Sequence, residues 1–205
     1  MTSYGIDLYW LPLGAGGRFV QINGRVYEAL VAAVERRRRY DLYHSALEVR
    51  VPEGRYVIEM TPAMGSGGAS HGVVAVGPVG SRLLGWSELF RYEVRRWVDG
   101  EIPDIVESVA SPRTITDDPV VAQRLLDLAP LAPTPTWGRD EFRAGEMWNS
   151  NSLISWLLVS AGLDIAHVPL PVGGRAPGWG AGIAIARAAT TQSHAGVRVA
   201  PAGNP

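Results

Sequence analysis

Two short segments of this chain carry residue types that can perform nucleophilic chemistry. Residues 43–49 (YHSALEV) place an imidazole, His44, in an alternating pattern, and residues 148–152 (WNSNS) directly precede an apolar run. A serine hydroxyl becomes a useful nucleophile only beside a base. The start of a helix adds unpaired backbone N–H groups that stabilise an oxyanion. His44 as base and Ser150 as nucleophile are therefore the candidate catalytic pair.

Each segment also has an ordinary structural explanation. All four residues of 149–152 (NSNS) are favourable helix N-caps, so capping accounts for at least one of them without catalysis. His44 shares its strand face with Glu48 and Arg50, as an ordinary surface or hydrogen-bonded histidine would. The two segments lie in different halves of the chain, and the sequence alone does not bring them together.

The elements that must position these residues begin with strands. Alternation in the 41–51 segment, with Tyr43, Ser45 and Leu47 on one face and His44 and Glu48 on the other, predicts a β-hairpin that returns through RYVIEMT. Three further strands are predicted at residues 3–11, 71–77 and 88–98, and a glycine-rich turn at 14–17. Four or five successive strands without long helices between them favour an antiparallel or mixed sheet over a doubly wound one.

The second half of the chain is predicted to be mainly helical. Asp118 followed by Pro119 is typical of a helix start, and this helix is expected to continue to Pro130. An extended connector is expected over 129–138, followed by a helix that starts in WNSNS and stops at Gly162. An earlier amphipathic helix is predicted after Asn23-Gly24, ending in four arginines (36–39).

Composition excludes several classes of site. The 205 residues include no cysteine, which excludes disulfides, thiolate metal sites and a cysteine nucleophile. All 19 cations are arginine, and against 20 acidic residues they leave a net charge of −1, so general attraction to nucleic acid is not expected. The arginine run 36–39 fits a solvated helix end better than a nucleic-acid patch. His71, His167 and His194 lack the spacing of metal ligands, and neither a metal nor a cofactor is expected.

The order of these motifs resembles a known superfamily. HSALEV followed by YVIEMTP, and later by NSNSLISWLL, resembles the circularly permuted papain-like families, particularly the lecithin:retinol acyltransferase and phospholipid acyltransferase group and its bacterial amidase relatives. Over most of 3–165, including GPVG and FRYEVRRW, the chain is also similar to a bacterial family with an Asn-Ser-Asn-Ser/Thr element. The resemblance implies an α+β domain over 1–170, with an antiparallel sheet of about five strands packed on helices.

The same resemblance implies roles for individual residues. His44 takes the position of the family histidine, Glu59 that of the second polar residue, which orients it, and Asn149-Ser150 that of the Asn-Cys motif. Ser150 would be the nucleophile, with backbone N–H groups near it as oxyanion donors. Trp148, Asn149 and Asn151 flank it and are the predicted substrate-binding residues.

The chain departs from the family at two of these positions. Serine has a much higher pKa than cysteine, so a resting thiolate–imidazolium pair cannot form at residue 150. A two-residue turn at Glu53-Gly54 would pair residue 48 with Glu59, which puts His44 and Glu59 on one face but about 13 Å apart along the strands. Direct contact between them would require a longer loop or a bulge.

Two functions remain open at this point. One is a Ser-His hydrolase or acyltransferase acting on an amide, ester or thioester of a small molecule, peptide or lipid. The other is a catalytically inactive papain-like binding module in which serine has replaced the cysteine. Without an N-terminal cationic region or an apolar run long enough to span a bilayer, a cytoplasmic location is expected. Residues 171–205 are rich in Gly, Pro and Ala; irregular structure is expected over 172–185 and disorder over about the last 15 residues.

Overall fold

The strands of the computed structural model form one open sheet. The structure describes residues 4–13, 41–63, 72–102 and 105–195, and everything below refers to them. Six strands follow the order β4-β5-β3-β2-β1-β6 with every neighbouring pair antiparallel, and β7 pairs in parallel with the start of β2. The strands are β1 (Gly5–Pro12), β2 (Asp41–Val51), β3 (Gly54–Pro62), β4 (Val73–Pro78), β5 (Arg91–Val98), β6 (Arg113–Thr116) and β7 (Gly174–Arg175).

The prediction of an antiparallel sheet is confirmed, although the sheet is larger than expected. The strands predicted over 3–11, 71–77 and 88–98 are present with shifted ends, and Glu88–Phe90 forms a short 3-10 helix ahead of β5. The two strands that the sequence did not predict, β6 and β7, have four and two residues. Segments this short show no measurable periodicity, which is why the pattern missed them.

The register predicted for the β2–β3 hairpin is wrong by two residues. Val51 pairs with Gly54, so the turn consists of Pro52 and Glu53, and Glu48 lies opposite Val57 rather than Glu59. Proline favours the first position of a turn because its φ is fixed and it has no N–H to donate. Gly54 adopts a φ of 149°, which the flanking position of this hairpin requires.

Two of the three α-helices begin where local signals predict. They are α1 (Pro119–Leu128), α2 (Ser150–Ser160) and α3 (Trp179–Ala195). Asp118 caps α1 by accepting from the backbone N–H of Val120 at 2.8 Å. At the end of α2, Gly162 takes a φ of 97° and Leu163 N–H donates to the carbonyl of Leu158 at 3.1 Å, a Schellman termination. The helices predicted from Pro119 and from WNSNS are thus confirmed, and the predicted 129–138 connector opens with a 3-10 turn (Ala129–Leu131).

The expectation of irregular structure over 172–185 is wrong from Trp179 onward, where α3 begins. Glycines at 180 and 182 lower the helix propensity of this segment. Gly182 also permits a close approach to α2, because a Cβ there would overlap the backbone oxygen of Ser152 and the hydroxyl of Ser155. The disorder expected at the C-terminus falls mostly outside the described residues, and the part at 191–195 continues α3.

Alternation gives the sheet two faces, which we call the helix-facing face and the opposite face. Tyr43, Leu47 and Val49 share one face of β2, as the alternation predicted, and in the structure this face points toward the helices and belongs to the main core. A smaller apolar cluster occupies the centre of the opposite face, and its members are Tyr9, Leu11, Ala46, Val57 and Ile102. Residues beyond position 170 share the main core, which includes Ala176 and Ala186.

Several predicted features lie outside the described residues: the 14–17 turn, the helix with its arginine run 36–39, and His71. Among the helices of the described part, none combines the length and apolar composition needed to cross a bilayer.

Candidate functional site

The start of α2 is held by a reciprocal cap. The side-chain oxygen of Asn149 accepts from the backbone N–H groups of Asn151 and Ser152, at 2.9 and 3.2 Å. In return, the hydroxyl oxygen of Ser152 accepts from the backbone N–H of Asn149 at 3.2 Å. This capping box confirms the structural explanation for part of the NSNS segment.

Asn151 joins three elements through one buried amide. Its Nδ2 donates to the carbonyl of Tyr43 in β2 at 2.9 Å and to the carbonyl of Pro177, just before α3, at 3.0 Å. Its Oδ1 accepts from the hydroxyl of Ser45 at 2.9 Å. We call this group of Ser45, Asn151 and the two carbonyls the asparagine joint. Because buried polar groups are costly when unpaired, its bonds bind β2, α2 and the segment before α3 to one another.

Ser152 and Ser155 of this helix lie near its contact with α3. Ser152 Oγ donates to the carbonyl of Met147 at 2.9 Å, and Ser155 Oγ donates to the carbonyl of Trp179 at 2.8 Å. Each hydroxyl thus satisfies a backbone carbonyl near the α2–α3 contact, which is a structural use.

Ser150, the predicted nucleophile, is the first residue of α2 and is 5% exposed. Its hydroxyl makes no hydrogen bond with the described residues, so it is the one NSNS side chain without a capping or joining role. The positive end of the helix dipole lies beside it, as nucleophile activation would require.

His44, the predicted base, lies on the other side of the sheet. The adjacent Ser45 points toward α2 and bonds Asn151, and successive side chains of a strand point in opposite directions. The partner of His44 across the β1–β2 ladder is Leu11, a member of the opposite-face cluster. The structure therefore does not bring His44 together with Ser150, whereas a base must come within roughly 3 Å of the proton it removes.

Glu59, the predicted orienting residue, shares the opposite face with His44, in keeping with the predicted parity. It is buried directly across from Arg95 of β5, with 3.9 Å between Oε1 and Nη1. Burial raises the pKa of the Glu59 carboxyl, and the positive charge of Arg95 partly counteracts this. Arg95 lies closer to the carboxylate of Glu93, at 2.8 Å, than to that of Glu59. The paired residues of β2 and β3 end at Leu47 and Ile58, so Glu59 has no paired residue in β2.

The predicted substrate-binding residues serve as structural groups. Trp148 is buried in the main core, with its ring centroid 6.4 Å from that of Phe142. Asn149 donates from Nδ2 to the carbonyl of Pro177 at 2.8 Å, and Asn151 forms the asparagine joint. All three side chains face protein groups.

Two open grooves lie away from this site. One, of about 520 Å³, is lined by Val76, Gly77, Pro78, Arg82, Gly85, Arg91 and Thr134. The other, of about 460 Å³, is lined by Gly80, Ser81, Arg82, Thr136, Arg139, Asp140 and Glu141. Neither is lined by a predicted site residue. Within the described residues, no three His, Asp or Glu side chains converge as metal ligands.

Sequence reasoning missed Ser45 as a partner of the NSNS segment. The sequence did contain a signal for this contact. Ser45 is the one polar residue among the apolar side chains from Tyr43 to Val51 on that face of β2, and a buried hydroxyl needs a partner. It also missed Glu146, whose carboxylate accepts from the backbone N–H of Gly178 at 2.7 Å and fixes the approach to α3. Spacing alone carries no signal for that contact.

Comparison of the chain with protein-family models, with curated proteins and with solved structures found no match in any of the three.

Proposed function

We propose that this chain is a non-catalytic, papain-like interaction module. In it, the helix start that the resembling families use for their nucleophile serves as a structural joint. The order of a hairpin followed by a helix that packs its first turn on β2 agrees with the resemblance. The function of the site is then to hold β2, α2 and α3 together.

The hydrogen bond between Ser45 and Asn151 carries this proposal. It commits the odd residues of β2 to the helix-facing face and His44 to the other. Moving His44 to the side of Ser150 would require a one-residue shift of β2, which reverses the facing of every side chain. Such a shift would break the hydrogen-bonded pairing of β2 with β1, which extends from Gly5 to Pro12. The shift would also move Leu47 and Val49 out of the main core.

The competing function is a Ser-His hydrolase or acyltransferase with Ser150 as nucleophile, His44 as base and Glu59 as orienter. One observation favours it: the Ser150 hydroxyl is unbonded at a helix start. Against it, Glu59 and His44 share the wrong face, and neither groove reaches Ser150.

A fluorophosphonate probe separates the two functions. For the wild-type protein we expect no labelling above that of Ser150→Ala, measured by intact-protein mass spectrometry with a serine hydrolase as positive control. Labelling of the folded wild type that disappears in both Ser150→Ala and His44→Ala would overturn the proposal in favour of the enzyme.

A second variant keeps the test informative if serine is simply unreactive. Ser150→Cys introduces the only thiol of the chain, and a neighbouring imidazole would lower its pKa and speed alkylation. We expect the rate of alkylation by iodoacetamide at pH 7 to be the same in Ser150→Cys and in Ser150→Cys/His44→Ala. A rate about tenfold lower in the double variant would place the imidazole beside residue 150 and contradict the proposal.

A further inference from the structure

The connection between β4 and β5 presents large apolar side chains to solvent. Leu83, Trp86 and Leu89 are exposed by 86, 80 and 63%, and we call these three side chains the apolar tip. They lie in one short segment that contains two 3-10 helices. Single exposed apolar residues are common, but a group of this size in one loop is typical of an interaction surface.

Several hydrogen bonds hold the backbone of this loop in place. Ser81 Oγ accepts from the N–H of Leu83 at 3.3 Å, and the carbonyl of Arg82 accepts from the N–H of Gly85 at 3.2 Å. Arg91 donates to the carbonyls of Gly85 and Trp86, the latter at 3.0 Å. The segment consists of two 3-10 helices and turns rather than an extended strand, so it offers no edge to a peptide partner that adds a strand.

Cationic side chains flank the apolar tip. Arg82 and Arg91 stand at its two ends, and both line the groove of about 520 Å³ beside it, which no acidic side chain lines. Arg82 is paired with Glu141, at 3.1 Å from Nε to Oε1, whereas Arg91 forms no ion pair in the described residues. Guanidinium groups bind phosphate well, so the groove complements a phospholipid headgroup.

We propose that the apolar tip inserts into the interfacial region of a phospholipid bilayer, with Arg91 at the level of the phosphates. Tryptophan and leucine are suited to this depth, where a ring or an alkyl chain is buried while polar groups stay hydrated. Glu88, an acidic residue within the loop, opposes the two arginines, so binding depends mainly on apolar insertion. This proposal rests on the loop alone and is independent of the function proposed for the α2 site.

The absence of cysteine makes a site-specific test possible. Leu89→Cys keeps Leu83 and Trp86 and provides one thiol for the environment-sensitive fluorophore NBD. With unilamellar vesicles of phosphatidylcholine, with or without one-fifth phosphatidylserine, we expect at least a twofold rise in NBD emission and quenching by spin-labelled lipid. The matched control is Val120→Cys, an exposed apolar position next to β6, at the opposite edge of the sheet. Its emission is expected to stay unchanged.

Vesicle co-sedimentation of unlabelled protein completes the test. We expect the triple variant Leu83→Ser/Trp86→Ser/Leu89→Ser to keep its circular dichroism spectrum and to lose at least nine-tenths of vesicle binding. Three results would overturn the proposal. The first is no change in NBD emission with either vesicle, and the second is vesicle binding by the triple variant equal to that of the wild type. The third is dimerisation of the wild type that increases with concentration and is absent in the triple variant, together with no vesicle binding by either protein. The last would identify a protein interface.

Discussion

The two faces of the sheet are made from alternate residues of the same strands, yet they treat polar groups differently. On the helix-facing face, Ser45 is neutral and its buried hydroxyl is paired with Asn151. On the opposite face, charges collect around a small apolar centre. There Arg50 bridges Asp7 and Glu48, at 2.7 and 2.6 Å from its Nη1.

This difference shows why the predicted catalytic residues are separated. A neutral amide can be fully bonded within a core, whereas an imidazole or a carboxylate is retained more easily among charges and dipoles. His44 and Glu59 lie with the charged residues on the opposite face, and Ser150 lies with the helices. Three predictions test the contrast between the faces, from the largest expected effect to the smallest.

The largest effect is expected at the closest contact of the helical layer. Gly182→Ala places a Cβ against the backbone oxygen of Ser152, which cannot move without shifting α2. We expect a loss of about 3 kcal/mol in the free energy of unfolding, at the upper end of overpacking effects, measured by urea denaturation. Gly180→Ala in the same helix is the control, because its Cβ would have its nearest neighbours 3.6 Å away, in the carboxylate of Glu146. Equal losses in both variants would exclude close packing as the cause.

The asparagine joint comes next. Asn151→Ala leaves the buried Ser45 hydroxyl and the Tyr43 carbonyl without their partner, and we expect a loss of about 2–3 kcal/mol. A double-mutant cycle with Ser45→Ala is expected to give a coupling energy of about 1 kcal/mol, from urea unfolding of all four proteins. Additive losses within about 0.3 kcal/mol would mean that the two side chains do not act as a pair.

The smallest effect concerns Glu59 on the opposite face and is visible in the pH dependence of the free energy of unfolding. Burial raises the pKa of Glu59 in the folded state, with Arg95 acting against it, so the folded protein holds this proton more tightly than the unfolded chain. The resulting stabilisation is fully present below the ordinary carboxyl pKa of about 4.3 and is lost as the pH rises through the raised value. Compared with Glu59→Gln, the wild type should therefore lose stability across that window.

The slope of this difference is at most about 1.4 kcal/mol per pH unit, since one proton is involved. It is measured by urea unfolding at several pH values between 4 and 8. Glu53→Gln, at an exposed position in the β2–β3 turn, serves as the control and should run parallel to the wild type. A Glu59→Gln curve that is also parallel would show that this carboxyl does not titrate differently in the folded state.

Much of the fold was predictable where the signal is local. The hairpin, the cap at Asp118 and the end of α2 at Gly162 depend on residues close in sequence, and all three predictions are confirmed. The failures have a common origin. The predicted register was wrong because the turn consists of Pro52 and Glu53. The helix α3 was missed because Gly180 and Gly182 lower its helix propensity, and Gly182 is there for contact with α2.

The candidate site was predictable only in part. The capping role of Asn149 followed from residue type, and the alternation of β2 already assigned His44 to the face away from its apolar residues. Catalytic roles for Ser150, His44 and Glu59 stay predictions, since family order suggested them and Ser150 lies on the other side of the sheet from His44 and Glu59. The proposed pairing of His44 with Ser150 required both to lie on one side of the sheet, and the structure shows that α2 covers the apolar face of β2 instead.

By itself, the sequence determined which side of β2 is apolar, where α1 and α2 start, and that no thiol is present. These properties follow from residue type and from periods of two and 3.6 residues. Only the tertiary structure decided which elements those faces meet: Asn151 reaches Ser45, Gly182 meets Ser152, and Glu59 lies against Arg95. Such contacts depend on strand register and on close packing between residues far apart in sequence, and neither can be predicted from local sequence pattern.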